Sequence, residues 1–300
     1  MMFPYFWRLV CLALASFFII HLALALILRC ATPWAVRTAE RLRPQVAARC
    51  LLALRLMPAS LAAVVVGALC IPSYLWLEPA YTTEKIGLGC IMASFCGLAA
   101  WIAAATRAAR SSSRSRQLVT SGGVPLLALA GIIHPRLVIS PEVLSALTPE
   151  QLDAALRHEE AHRISHDNLK RLLVLLSPGL FPGFNGFRAL ERGWSRFTEW
   201  AADDCAVAGN SERSLCLAAA LVRVARLGGP TPPMMTSLLG DRADLATRVD
   251  RLLRGDSIAE KPATNKVLCF AITAAVLTCA AAILQPSTLS TVHRLLESLL

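Results

Sequence analysis

Residues 158–162 read His-Glu-Glu-Ala-His, and the types and spacing of these side chains suit metal chemistry. Positions four apart share one face of a helix, so His158 and His162 can direct two imidazole rings at one ion. Glu159 stands between them in sequence and can reach a water molecule on that ion. Two nitrogen ligands, an open metal position and a nearby carboxylate are the arrangement of zinc peptidases. The motif therefore predicts a Zn²⁺ site with Glu159 as the catalytic base.

The residues around this motif predict the helix that must hold it. The segment Thr148-Pro149-Glu150-Gln151 has the order of a capping box, with a hydroxyl N-cap, proline at N1 and glutamine at N3. An apolar stripe at helical spacing follows, made of Leu152, Ala155, Leu156 and Ile164. Short motifs also arise by chance, and a helix with two surface histidines is the alternative. The flanking residues favour a packed helix.

A zinc peptidase needs a third ligand, and the chain offers one downstream. Asn168 stands where the metzincin pattern has a third histidine, so that pattern fails. Glu199 and Asp203 lie one turn apart on a second helical stretch, at about residues 187–207. Glu199 can complete a His-His-Glu site, and Asp203 can accept the proton on the second ring nitrogen of a ligand histidine. A solvated acidic helix face is the alternative.

With both motifs present, the chain resembles the membrane-embedded gluzincin peptidases of the β-lactam-sensor, or antirepressor, type. The segments HEEAHRISHDNL and EWAADDCAV carry the resemblance, and GIIHPRLVISPEVLSALTPEQLDAALRHE is similar to the strand, loop and helix that precede the zinc helix of that family. The resemblance covers about residues 119–253. The resemblance implies the following roles: zinc ligands His158, His162 and Glu199, base Glu159, and Asp203 hydrogen-bonded to a ligand.

The resemblance leaves two points open. Asp167 falls where that family usually has an aspartate, although a helix-surface or capping charge is the alternative. The pair HExxH and ExxAD also occurs in the CAAX-prenyl and heat-shock membrane proteases, so it identifies the clan better than the family.

The β-lactam sensors carry a Ser-x-x-Lys nucleophile in an outer domain, and none of the four lysines here follows a serine by three residues. A penicillin-binding sensor domain is therefore not expected.

The composition predicts a membrane protein. Hydrophobic residues make up 55% of the chain and charged residues 17%, and the mean hydropathy is +0.54. Four stretches of 18 to 22 residues lack a full charge, close to the roughly 20 that the hydrocarbon core requires; they are 9–28, 56–77, 86–106 and 267–284. We therefore expect a multi-pass α-helical membrane protein with an inserted α+β gluzincin-type zinc peptidase domain at 107–265.

The arginines predict the orientation of the chain in a bacterial inner membrane. Six arginines face one acid in the segment 29–55, four more arginines follow the third span within residues 107–116, and the segment 78–85 holds two acids and one lysine. Because arginine-rich short loops stay in the cytoplasm, the peptidase domain is expected there. The same effect explains the net charge of +10, so nucleic acid is not an expected partner.

The cysteines indicate neither a disulfide framework nor a cysteine zinc site. Six of the ten lie within the apolar spans, and no Cys-x-x-Cys occurs.

A strand-like pattern runs through 124–133 and 136–140. The edge of such a strand could pair with an extended substrate, or the strands could form only a core sheet that supports the zinc helix. Further helices are expected at 211–227 and 242–254. Arg248, on the last, could stabilise an oxyanion, but its position favours an ordinary surface arginine.

The reaction these residues predict is metal-assisted peptide hydrolysis. Glu159 would take a proton from the attacking water and pass it to the leaving amine. The expected substrate is a cytoplasmic or membrane-associated protein, such as a transcriptional repressor in regulatory signalling, and the lipid bilayer is the other partner. A quality-control protease of the CAAX or heat-shock type is one alternative. A non-catalytic membrane scaffold is the other.

Overall fold

The computed structural model describes residues 2–78, 87–120, 127–132, 134–227, 236–237, 244–255, 290–291 and 294. Its helices are α1 Met2–Ala39, α2 Pro44–Val65, α3 Ile71–Leu77, α4 Leu88–Thr120, α5 Pro141–Ala146, α6 Pro149–Ser165, α7 Asp167–Leu176, α8 Arg188–Val207, α9 Ser211–Leu227 and α10 Leu245–Arg254. Its strands are β1 Leu127–Ala130, β2 Arg136–Ile139 and β3 Thr236–Ser237. The described chain is therefore mainly helical, with one small sheet.

Three helical stretches are long and apolar enough to cross a membrane, and they are Tyr5–Ala39, Pro44–Leu77 and Leu88–Gln117. Large apolar side chains stay exposed on their outer faces, among them Ile27, Val64 and Phe95 at 65%, 55% and 63%. This fits the predicted helical membrane protein. The spans predicted at 9–28 and 56–77 lie within the first two stretches, and the span predicted at 86–106 lies in the third from Leu88 onward. The fourth predicted span, 267–284, lies outside the described residues.

The arginine-rich segment between the first two spans is largely helical, which corrects the prediction of a loop at 29–55. Helix α1 continues to Ala39 and α2 begins at Pro44, so only residues 40–43 form the turn. Arginine is a good helix former, so a segment rich in arginine can continue the apolar helices on either side of the turn. Further along, a π-helical turn at Val66–Cys70 joins α2 to α3. Pro72 there has no N–H to donate to the preceding turn.

The sheet is antiparallel, with β1 in the centre and the order β2-β1-β3. The β1–β2 register runs from Leu127 opposite Ile139 to Ala130 opposite Arg136. Strand β1 ends at Ala130, inside the apolar run predicted at 124–133, because Gly131 has a φ of 106° and turns the chain. Residues 124–126 and 133 lie outside the described residues. No pattern in the sequence predicted β3, which pairs over only two positions.

Helix α6 begins as the sequence predicted. The Thr148 hydroxyl accepts a bond from the Gln151 backbone N–H, and the Gln151 side chain accepts one from the Thr148 N–H. The predicted apolar stripe holds for Ala155, which is buried, but Ile164 is 67% exposed. The prediction was wrong for Ile164, because the inward face of the last turns of α6 carries the histidine pair instead.

Two hydrophobic cores position the site. One joins α6, α9 and α10 to β1, with Ala155, Leu221 and Leu252 among its buried members. The other joins α1 and α2 to α8, with Leu51 and Phe197 at its centre. Helix α8 therefore packs directly on α1 and α2, while α6 packs between α8 and α9.

Candidate metal centre

Three side chains converge in the interior with the spacing of metal ligands. His158 Nε2 lies 3.1 Å from His162 Nε2, and Glu199 Oε2 lies 3.6 and 3.7 Å from these two nitrogens. A tetrahedral ion with bonds of about 2.0–2.1 Å separates its ligand atoms by roughly 3.3–3.4 Å. All three residues are at most 2% exposed. The triangle is therefore the right size for one small metal ion.

Two helices and one bend create this arrangement. Helix α6 presents the two histidines one turn apart, with ring centroids 4.7 Å apart and ring planes at 86°. Helix α8 presents Glu199 from the opposite side, and Asp203 one turn later. The chain reverses between α6 and α7 at His166, whose φ of 56° is left-handed. This bend turns Asp167 back towards the end of α6.

Each histidine has a buried carboxylate at its other ring nitrogen. His162 Nδ1 lies 2.7 Å from Asp167 Oδ2. His158 Nδ1 lies 2.9 Å from Asp203 Oδ1, although poorly aligned for a hydrogen bond. A carboxylate at Nδ1 favours the tautomer that leaves Nε2 free to bind a metal. The sequence predicted this place for Asp203. Asp167 is only 3% exposed. The alternative that the sequence left open, a charge on the helix surface, therefore does not apply to it.

Arg248 is buried, and its expected place on the surface was wrong. It is 1% exposed, and its Nε and Nη2 donate to the Asp203 carboxylate at 2.8 and 2.7 Å. Its Nη1 lies 3.2 Å from Glu199 Oε2. All three guanidinium nitrogens thus face carboxylates, so the geometry supports a role in orienting Glu199 and Asp203 better than one in stabilising an oxyanion.

The charges around the histidines favour a cation between them. Burial lowers the pKa of His162, but the charge of Glu199 and the bond to Asp167 outweigh it and raise that pKa to about 10. Burial would raise the pKa of Glu199, yet His162, His158 and Arg248 hold it well below its usual value. Asp203 is held at a pKa of about 2, against the effect of burial, chiefly by Arg248. Glu199 and Asp203 are therefore ionised, and the Glu199 carboxylate is directed at the point where the two Nε2 atoms meet.

Glu159 differs from the other acids of this cluster. It is 1% exposed, and neither carboxylate oxygen has a hydrogen-bond partner among the described residues. Burial raises its pKa to about 7. A buried carboxyl group without a partner is costly for stability, and such groups concentrate at functional sites. A proton acceptor poised near neutrality is what a general base requires.

Sequence reasoning missed several polar residues at the start of α7. Arg171 Nη2 lies 3.3 Å from Glu199 Oε1, and Lys170 Nζ lies 2.7 Å from Asp167 Oδ1. The Asn168 amide donates to the carbonyls of Leu129 and Gly131, at 2.9 and 2.8 Å, and so fastens α7 to the end of β1. A cavity of about 90 Å³ beside His162 lies at this junction, with room for a few water molecules. No spacing rule marks these residues in the sequence.

No protein-family model, no curated protein and no solved structure matches the chain. The functional interpretation therefore depends on the motifs and on the geometry of the cluster. The structure brings together His158, His162 and Glu199 as a buried group that could hold a metal ion. That much of the cofactor prediction is confirmed, while zinc as the identity of the ion stays a prediction.

Proposed function

We propose that this chain is an integral-membrane zinc metalloendopeptidase, similar to the membrane-embedded gluzincins of the β-lactam-sensor type. The observation that carries the proposal is the ligand triangle of His158, His162 and Glu199 with Glu159 buried beside it. Two imidazoles and one carboxylate with a further open position are a typical catalytic zinc set. The donor atoms and their spacing fit that ion.

The metal ligands and Glu159 have separate roles in the proposed reaction. When bound, zinc would supply Lewis acidity at the triangle, polarising a carbonyl group and lowering the pKa of a water molecule. Glu159 accepts the proton of the attacking water and transfers it to the leaving amine. Its carboxylate suits both steps, since it has no competing hydrogen bond among the described residues and a pKa of about 7.

The surrounding charges keep the site in the form the reaction needs. Asp167 and Asp203 hold the two imidazole rings through Nδ1. Arg248 and Arg171 contact opposite oxygens of Glu199, which keeps that carboxylate ionised and fixes its orientation. Together they offset part of the repulsion among buried carboxylates.

The proposed substrate is a protein at or near the membrane. This is supported by the apolar helices and by the direct packing of α8 on α1 and α2. A transcriptional repressor or a membrane protein would suit such a site, and a CAAX or heat-shock type of quality-control protease remains a second proposal on the same motifs. A non-catalytic scaffold gives no reason to bury Glu159 without a hydrogen-bond partner among the described residues.

The test uses the full chain purified in detergent, with Glu159→Gln compared with Glu160→Gln. Glu160 is the next residue on α6, and its carboxylate pairs with Arg163 at the surface. Zinc content is measured by elemental analysis, and cleavage by mass spectrometry of a defined peptide library. We expect about one zinc per chain in all three proteins, and cleavage lowered about 10²–10⁴-fold only in Glu159→Gln.

Two outcomes would contradict the proposal. One is a folded wild-type protein that takes up no zinc when zinc is supplied. The other is a Glu159→Gln variant that cleaves the library as fast as the Glu160→Gln control. His162→Ala should lose both metal and cleavage, which separates the ligand role from the role of the base.

A further inference from the structure

The connection between α7 and α8 carries exposed aromatic side chains on a tight turn. Phe181 and Phe184 exchange backbone hydrogen bonds of 3.1 and 3.0 Å across Pro182-Gly183. Gly183 supplies the positive φ, of 81°, that the turn requires. The phenylalanine side chains are 45% and 58% exposed. Two large apolar groups at the tip of a turn are unfavourable in water.

The backbone of this connection is hydrogen-bonded by side chains of the membrane helices. His21 Nε2, on α1, lies 2.9 Å from the Gly179 carbonyl oxygen. Arg55 on α2 and Arg107 on α4 donate to the Ser177 carbonyl oxygen at 3.2 and 3.0 Å. Irregular backbone is tolerated at membrane depth only where protein groups satisfy it. Each of the three apolar helical stretches thus contributes a donor where hydrocarbon could offer none.

The turn contacts α1 well inside its apolar stretch. The rings of Phe181 and Phe18 have centroids 6.3 Å apart. At 1.5 Å of rise per residue, Phe18 lies about 16 Å along the helix from Arg29, the first arginine after the apolar stretch. The hydrocarbon core is about 30 Å thick. The turn therefore lies near the middle of the apolar stretch rather than at its end.

The second half of α7 continues the same apolar surface. Leu173 and Leu176 are 42% and 36% exposed and share one side of the helix, while α7 packs against α4 and α2. These leucines lie on the half of α7 that leads into the turn, and α7 packs on helices whose outer faces are apolar as well. Lipid would cover these exposed apolar groups without leaving them in water.

From these contacts we infer that residues 172–187 form a re-entrant segment, which enters the bilayer from the side of the metal site and returns to that side. Phe184 contacts lipid acyl chains at its tip. The segment descends as the end of α7, turns at Pro182-Gly183 and leads into α8, the helix that carries Glu199. This inference adds a membrane contact to the proposed peptidase and does not depend on its activity.

Photo-crosslinking of the full chain in phospholipid vesicles tests this contact. Phe184→p-benzoylphenylalanine is compared with the same substitution at Phe95 and at Leu215. These residues are similarly exposed, at 58%, 63% and 56%, and they lie on the turn, on α4 and on α9. Vesicles of phosphatidylethanolamine and phosphatidylglycerol with labelled acyl chains report the attachment of lipid. We expect strong labelling from positions 184 and 95, and only background from position 215.

Labelling from position 184 at the level of position 215, with position 95 strongly labelled, would overturn the inference. Leu173→p-benzoylphenylalanine gives a second reading if the first substitution disturbs the turn, and the same two outcomes apply to it. As an independent measurement, Phe184→Asp should lower the yield of folded protein in vesicles several-fold relative to Leu215→Asp. Equal yields of the two variants would contradict a tip in hydrocarbon. Neither readout requires catalysis.

Discussion

Single buried charges at this site depend on one another, and Arg248 shows how strongly. Its guanidinium binds the carboxylate of Asp203 and contacts Glu199, and all three residues are at most 2% exposed. Removing one member of such a group leaves the others charged in the protein interior without their partner. The loss is therefore much larger than the worth of a surface ion pair.

Arg248→Met should lower the free energy of unfolding by about 3–5 kcal/mol, since it leaves Asp203 unpaired in the interior. Arg254→Met, on the same helix, removes an exposed ion pair with Asp250 and should change the free energy by less than about 1 kcal/mol. Denaturant titration in detergent, followed by circular dichroism, measures both. Equal losses in the two variants would mean that the buried pair stabilises the fold no more than the exposed pair does.

Asp167 should matter for metal affinity more than for the fold. Asp167→Ala removes the carboxylate at His162 Nδ1 and should weaken zinc binding about 10–100-fold. Asp153→Ala, at an exposed position on the preceding turns of α6, is the control and should leave the affinity unchanged. Competition with a fluorescent chelator gives both constants. If the two variants bind zinc equally well, Asp167 does not act through the histidine.

At the scale of elements, the bend between α6 and α7 determines where Asp167 points. His166 has a left-handed backbone with a φ of 56°, a conformation that costs little for glycine and most for β-branched residues. Two helices can therefore follow one another directly at this point, with no loop that would let the carboxylate move.

His166→Val should lower the free energy of unfolding by about 1–2 kcal/mol because of strain at that φ, whereas His166→Gly should be close to neutral. Thermal unfolding of the two variants side by side measures the difference. A valine variant as stable as the glycine variant would show that the bend relaxes, and the link from α6 to Asp167 would then be loose.

The helices that carry the site and its acids Glu199 and Asp203 could be predicted from the sequence, but the basic residues that pair with these acids could not. The capping box at Thr148, the helix at 211–227 and the stretch near 187–207 follow from local rules, so their bounds agree with the structure. Arg248 could not be placed, since α10 holds further arginines and local rules do not say which faces inward. The strand β3 is too short to have a pattern. Contacts such as Asn168 with β1 depend on packing between distant segments.

At the scale of the whole molecule, the orientation across the membrane is still a prediction from arginine asymmetry. A reporter active only in the cytoplasm should work when fused after Arg116 or after Lys261, and should fail near Tyr81. The opposite pattern would place the metal site outside the cell membrane. Cytoplasmic repressors would then be excluded as substrates, and quality control of exported proteins would become the better proposal.

The packing of α8 on α2 has a practical consequence for anyone who wishes to excise the proposed peptidase domain. Arg55 is 1% exposed and pairs with Glu191 at 2.8 Å, and Leu51 packs in the same cluster as Leu190 and Phe197. A fragment starting at residue 107 would expose that apolar surface of α8 and remove Arg55, the buried cation that pairs with Glu191. The boundary between the apolar helices and the proposed peptidase domain is thus a division of the sequence and not of the packing. The two parts would have to be expressed and purified as one unit.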